Sequence, residues 1–212
     1  MLYEIILITT FIILFLLVSF LIFWKFYFLR DPERKIPKGD NLVSPADGKV
    51  MFISKFNNQE KLEIKKNFIG RIKTLTKDTC DKGYIISIFM SPFNVHVNRA
   101  PMKGKIIYQK HADGKFLKAS TLSSIVENEK NELIIKNKDI KIKVIQVAGF
   151  VARKIESFVK VNQNLEKGER FGLINLGSQV NIIFPEKYKP NVKLGDKVKA
   201  GSSIIAIKNK KN

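Results

Sequence analysis

The sequence predicts a β-rich α+β fold: one β-sandwich or hammerhead-like domain behind a single N-terminal helix that spans or inserts into a membrane. Three observations predict it. Residues 5–24 run for 20 positions without a charge. Behind them, short runs rich in β-branched residues alternate with turn signals. Near the end, Val192, Gly195, Asp196, Val198 and Gly201 set valines between turn glycines, a pattern that suits a small β-hammerhead. At 212 residues the chain is long enough for one domain plus an appendage.

The anchor comes first. Twenty helical residues rise about 30 Å, the thickness of a bilayer core. A cleaved signal would have a shorter apolar stretch, a basic front and a small-residue cleavage site. Here Glu4 precedes the run, and Trp24, Phe26, Tyr27 and Phe28 follow it as an interfacial aromatic belt. The run is too long and too uniformly apolar for a buried core helix. Lys25, Arg30, Arg34, Lys35 and Lys38 flank its far end and no Lys or Arg precedes it, so residues 30–212 are expected in the cytoplasm, at the cell membrane. The lone Cys80 fits a reducing compartment and excludes a disulfide scaffold or a cysteine-cluster zinc site; no metal is expected.

Residues 1–29 thus form the anchor, 30–41 a charged linker with Pro32 and Pro37 that should be extended, and 42–212 the globular domain. In the domain, residues 84–89, 180–184 and 203–207 read as strands. Residues 133–135 and 140–147 flank Lys136-Asn137-Lys138-Asp139 as a hairpin, and 140–147 begin with alternating polarity before turning apolar. Residues 116–127 and 151–159 have helical spacing.

The formal charge of +19 calls for an anionic partner, either nucleic acid or an anionic membrane. Only 6 of the 38 basic residues are arginine, and no helix-turn-helix, zinc or aromatic-ribbon signature is present, so no nucleic acid is expected. An anionic bilayer surface accounts for the charge as well.

Three stretches carry chemistry-bearing residues: Ser44-Pro45-Ala46-Asp47-Gly48-Lys49-Val50, then Met90-Ser91-Pro92-Phe93-Asn94-Val95-His96-Val97-Asn98-Arg99-Ala100-Pro101, then Arg170-Phe171-Gly172-Leu173-Ile174-Asn175-Leu176-Gly177-Ser178-Gln179-Val180. Each has a structural reading. Asp47-Gly48 is a common turn, His96 a histidine in an apolar strand, and Gly177-Ser178 a turn dipeptide. Taken together, a carboxylate, an imidazole and a hydroxyl are the parts of a nucleophilic triad. The hydrolase elbow G-x-S-x-G is absent, since Val180 stands where the second glycine would be. His111 has no motif around it and reads as exposed. Lys115, Arg153 and Arg170 read as solvated or structural, with phosphate contact as the alternative.

From Phe28 to its end the chain resembles a phosphatidylserine decarboxylase of the short bacterial and archaeal type. The markers run in order: Phe28-Leu29-Arg30-Asp31-Pro32-Glu33-Arg34, the Ser44 and Ser91-Pro92 to Pro101 stretches, Gly114-Lys115-Phe116, Glu127-Asn128-Glu129, Gly168-Glu169-Arg170-Phe171-Gly172-Leu173-Ile174 and Leu176-Gly177-Ser178. The resemblance implies a pyruvoyl-dependent enzyme that cuts itself between Gly177 and Ser178, giving a β chain of residues 1–177 and an α chain of residues 178–212. Ser178 would become the covalent pyruvoyl cofactor. His96 would act as base and acid, and Asp47 would orient His96. The pyruvoyl carbonyl would take up the electrons left when CO2 departs from phosphatidylserine, giving phosphatidylethanolamine. The Leu-Gly-Ser-Gln stretch mixes the patterns of long and short members, and Arg99 stands where long members have a second histidine. The alternatives are a decarboxylase of another amino-lipid, or a non-catalytic membrane-tethered β-hammerhead adaptor. Oligomeric state stays open.

Overall fold

Leu2–Ile22 forms a 21-residue α-helix, α1, none of whose residues is buried. About 1.5 Å of rise per residue makes it about 30 Å long. It is long enough and apolar enough to cross a bilayer. Its last turn passes without a break into a π-turn, Phe23–Phe28, where the Leu29 N–H donates to the Trp24 carbonyl at 3.1 Å. The segment after it has no regular secondary structure through Lys38. The computed structural model describes residues 1–57, 78–113, 129–149, 154–175 and 178–209.

The rest of the described chain is β-structure: β1 (Asn41–Val43), β2 (Gly48–Asn57), β3 (Lys82–Met90), β4 (Val97–Arg99), β5 (Gly104–Ala112), β6 (Lys130–Lys136), β7 (Lys141–Val147), β8 (Ile155–Ser157), β9 (Asn164–Leu165), β10 (Arg170–Ile174), β11 (Ser178–Pro185), β12 (Tyr188–Pro190), β13 (Lys197–Val198) and β14 (Ile204–Lys208). Eight strands form one curled antiparallel sheet in the order β13-β2-β3-β11-β7-β6-β5-β9. Two three-stranded antiparallel sheets, β1-β14-β12 and β4-β10-β8, complete the domain.

The central strands read as nearly continuous apolar runs because both of their faces are covered. On one face Ile86, Ile88 and Met90 of β3 pack with Val180, Ile182 and Phe184 of β11, and with Val144 of β7 and Leu133 of β6. On the other, Ile85, Ile145, Val147 and Ile183 pack with Phe56. The expected 133–147 hairpin is present as β6 and β7. Its turn is closed by Asn137, whose Oδ1 accepts the N–H groups of Asp139 and Ile140 at 2.8 and 2.9 Å.

One expectation needs correction. The span 151–159 is not helical where it is described: Ile155–Ser157 is the strand β8, with Ile155 opposite Ile174 of β10. The helical spacing of Ile155 and Phe158 misled, because only Ile155 faces the core while Phe158 is about half exposed. An edge strand of three residues is too short to show a period of two. The expected helix over 116–127 and residues 151–153 lie outside the described residues.

Gly48 opens β2 where the chain crosses β3. A Cβ there would stand 2.2 Å from the Phe89 carbonyl oxygen and 2.9 Å from the Ile88 side chain. Since both neighbours belong to a packed central strand, Gly48→Ala should destabilise the protein by at least about 2 kcal/mol. The check is a loss of thermal unfolding temperature in detergent relative to wild type; an unchanged temperature would contradict the close approach.

Candidate active site

The end of β3 and the start of β11 bring the first functional group into place. Met90 is the last residue of β3 and pairs with Ser178, the first of β11. Both side chains are fully buried, and the Ser178 hydroxyl points at the Met90 thioether, Oγ to Sδ 3.3 Å. Sulfur is a weak acceptor, so the hydroxyl is held without being tied up. Behind Met90 runs a chain of buried amides. Asn131 Nδ2 donates to Gln146 Oε1, Gln146 Nε2 donates to Asn98 Oδ1, each at 2.8 Å, and Asn98 Nδ2 lies 3.8 Å from the Met90 sulfur. Gly172 leaves room for this chain, since a Cβ there would come within 2.9 Å of Gln146 Nε2.

His96 follows the short turn after β3 and immediately precedes β4. Its carbonyl accepts the Ile174 N–H at 3.3 Å, which binds it to the end of β10. Met90 and His96 therefore flank one turn, and each end of it is tied across: Met90 to Ser178 by the β3–β11 pairing, His96 to Ile174 by this hydrogen bond. His96 is fully buried, and among the described residues neither ring nitrogen makes a hydrogen bond of good geometry, although the Asn94 backbone acts on the ring. Its ring packs on Phe28, with centroids 4.1 Å apart at 33°. Burial pushes its pKa down to about 4, against a raising influence of the Asn94 backbone, and the charge of Arg30 lowers it further. At neutral pH the ring is an uncharged imidazole able to accept a proton.

Asp47 is not hydrogen-bonded to His96. Arg34 Nη2 reaches both of its carboxylate oxygens, at 2.9 and 3.0 Å, and the Ala200 N–H donates to Oδ1 at 2.7 Å. Both side chains of the pair are nearly buried. The Asp47–imidazole bond of a triad is thus absent here, because an arginine from the post-anchor segment holds the carboxylate. Gly177, the other expected cleavage residue, lies outside the described residues, as do Lys115 and Arg153. His111 is exposed on β5, 3.3 Å from Glu129.

The segment from 28 to 34 is a strap across the site. Arg30 donates to the Phe93 carbonyl at 2.6 Å, in the turn before His96. Asp31 pairs with Arg99 of β4 at 2.7 Å and also with Arg170 of β10. Glu33 pairs with Arg170 at 2.8 Å, which holds its carboxyl below the usual range. Arg99 further donates to the Gly168 and Pro32 carbonyls. Arg170 is thus engaged by two carboxylates of the strap. Met90, Asn98, Gln146, Phe28 and Arg34 escaped the sequence reading as site residues. Four of the five stand inside quoted motifs; Gln146 carried no signal beyond being an amide residue on a strand.

Comparison with known proteins returns one family. The model of the family described as phosphatidylserine decarboxylase matches residues 22–206. A protein of Methanocaldococcus jannaschii named putative archaetidylserine decarboxylase proenzyme is 42% identical over 193 residues, covering 91% of this chain and 93% of that protein. A protein of the same name from Methanothermobacter thermautotrophicus is 40% identical, covering 92% and 83%. The phosphatidylserine decarboxylase proenzyme of Chlorobium limicola is 40% identical, covering 88% and 80%.

The buried imidazole has a measurable cost. The folded protein takes up this proton only near pH 4, the unfolded chain already near the ordinary value of 6.5. Stability is therefore present above 6.5 and is lost as pH falls through that window, by up to about 3 kcal/mol at about 1.4 kcal/mol per pH unit. Unfolding free energies measured between pH 7 and pH 4 should fall more steeply in wild type than in His96→Gln. Parallel slopes would contradict a neutral, buried ring.

Proposed function

The chain belongs to the phosphatidylserine decarboxylase family, a family of decarboxylase proenzymes, and we propose that it matures by cutting itself between Gly177 and Ser178. The observation that carries this reading is His96: a buried, uncharged imidazole whose nitrogens make no hydrogen bond of good geometry among the described residues, at the end of the turn whose other end, Met90, pairs with Ser178. His96 takes the hydroxyl proton as Oγ attacks the Gly177 carbonyl carbon. The peptide C–N bond breaks, its nitrogen is protonated, and Gly177 is left as an ester on Ser178. Removal of the Ser178 α-proton then expels the Gly177 carboxylate. Water replaces the nitrogen, ammonia leaves, and the new chain starts with a pyruvoyl group.

The surroundings of Ser178 fit such a group: a dry site with a thioether contact leaves no strong hydrogen-bond partner to be broken when the hydroxyl is lost. The pyruvoyl carbonyl supplies an electron sink for decarboxylation of an α-amino acid. In this reading His96 returns a proton to the substrate's α-carbon after CO2 leaves. Asp47 orients His96 indirectly, through the strap whose Arg34 holds its carboxylate and whose Phe28 lies on the imidazole.

The substrate is a phospholipid with a serine headgroup, and the product its ethanolamine counterpart. Archaetidylserine and phosphatidylserine share that headgroup, and relatives named for each are similar to this chain. The apolar helix is consistent with membrane association. The basic residues after it, Lys25, Arg30, Arg34, Lys35 and Lys38, support a cytoplasmic side for the domain.

Intact mass of the denatured protein tests the maturation. Wild type should give two chains, divided after Gly177, the smaller lighter by one ammonia than a chain beginning with serine. Ser178→Ala should remain one chain of 212 residues and should convert no serine lipid in vesicles. A single uncut wild-type chain would contradict the proposal. Vesicles holding either serine lipid, assayed for the ethanolamine product, tell the two substrates apart.

A further inference from the structure

The π-turn places one aromatic residue where no other residue of the anchor goes. Phe26 is 70% exposed and Tyr27 and Leu29 are each more than two-fifths exposed, while Phe28 between them is fully buried. Its ring lies between two others. Trp24, one turn back, stacks on it at 4.6 Å and 11°, and His96 lies against it at 4.1 Å. The i→i+5 bond of the turn lets the backbone change pitch where the anchor meets the domain. The strap then holds it: Arg30 on the Phe93 carbonyl, Asp31 on Arg99 and Arg170.

His96 is held mainly by this packing, since among the described residues neither ring nitrogen makes a hydrogen bond of good geometry. We infer that Phe28 is a positioning residue for His96: delivered by the membrane anchor, its ring fixes the plane of the imidazole and keeps water from it, so that the base stays uncharged. The inference rests on the role proposed for His96 in self-cleavage. Of the charged groups on the elements that hold His96 and the strap, Arg30 acts on the ring directly. Arg99 on β4 and Arg170 on β10 are paired with Asp31, and Asp47 before β2 with Arg34. Residues 91–94 of the turn and the first two residues of β11 carry no charge.

The test follows the precursor itself. Full-length chains made by cell-free translation into nanodiscs of zwitterionic and anionic lipid are chased at pH 4.5 to 8, and cleavage at Gly177–Ser178 is timed. Wild type should cleave at nearly the same rate at pH 8 and pH 5. In Phe28→Ala, water reaches the ring and its proton affinity returns toward the ordinary value, so the rate at pH 5 should fall about tenfold below that at pH 8. Phe26→Ala, which removes an exposed ring from the same turn, should keep the flat profile. Should Phe28→Ala fail to fold, Phe28→Val, a smaller truncation, should move the acid limb in the same direction. A slower but equally flat profile in the Phe28 variants would make the residue mere packing and overturn the inference.

Absence of cleavage in wild type would instead overturn self-processing. The ring's own titration then decides the matter, read by NMR on chains carrying labelled histidine. His96 should charge near pH 4 in wild type and about two units higher in Phe28→Ala. Equal titration in both would overturn the inference.

Discussion

An imidazole with neither nitrogen well bonded among the described residues, and fully buried, is the constraint on which the rest of the site depends. Each unpartnered buried polar atom costs about 1–3 kcal/mol, and such a state persists only where the surroundings are over-determined. They are. The sheet that carries Ser178 is buried on both faces, and the amide chain of Asn131, Gln146 and Asn98 fixes the Met90 sulfur beneath the hydroxyl. A base kept free of partners is a base kept available. Full pairing of His96 to a carboxylate would stabilise the fold and hold the ring in one place, but would also raise its proton affinity.

The strap supplies the rest of that determination, and in doing so ties chemistry to membrane. Each charged residue from Arg30 to Arg34 reaches a partner close to the site. Their mixed signs are the reason the segment lies down on the domain instead of floating beside it. Exposed members of this set, such as Arg170 with Glu33, contribute little by themselves. The nearly buried Arg34–Asp47 pair matters more, because removing either partner strands a charge in a dry place. A lipid substrate cannot bring its acyl chains out of the bilayer, so a site assembled on the first residues after the anchor meets its substrate at the right depth.

Much of this was legible in the amino acids. The anchor shows as a charge-free run, β6 and β7 as a hairpin with an Asn-containing turn, and β3, β11 and β14 as apolar runs between breakers. Ser178, His96 and Asp47 were singled out by type and by family resemblance. What escaped depends on contacts between distant segments. The residues 30–41 read as a linker because charge and proline mark extended chain, and no local pattern tells a free segment from one clamped by Arg99 and Arg170. Asp47 was assigned to His96 because a carboxylate and an imidazole make a triad; Arg34, 13 residues earlier, competes for the same oxygens and wins them here. Phe28 looked like one more interfacial aromatic, and only the change of pitch in the π-turn separates it from Phe26 and Tyr27.

The role of base proposed for His96 is best tested by its removal. Full-length His96→Ala precursor, in bilayer nanodiscs at neutral pH and followed by intact mass, should stay a single chain while wild type made alongside divides after Gly177. Division of the variant at the wild-type rate would show that the imidazole takes no part, and that the reason for burying it lies elsewhere.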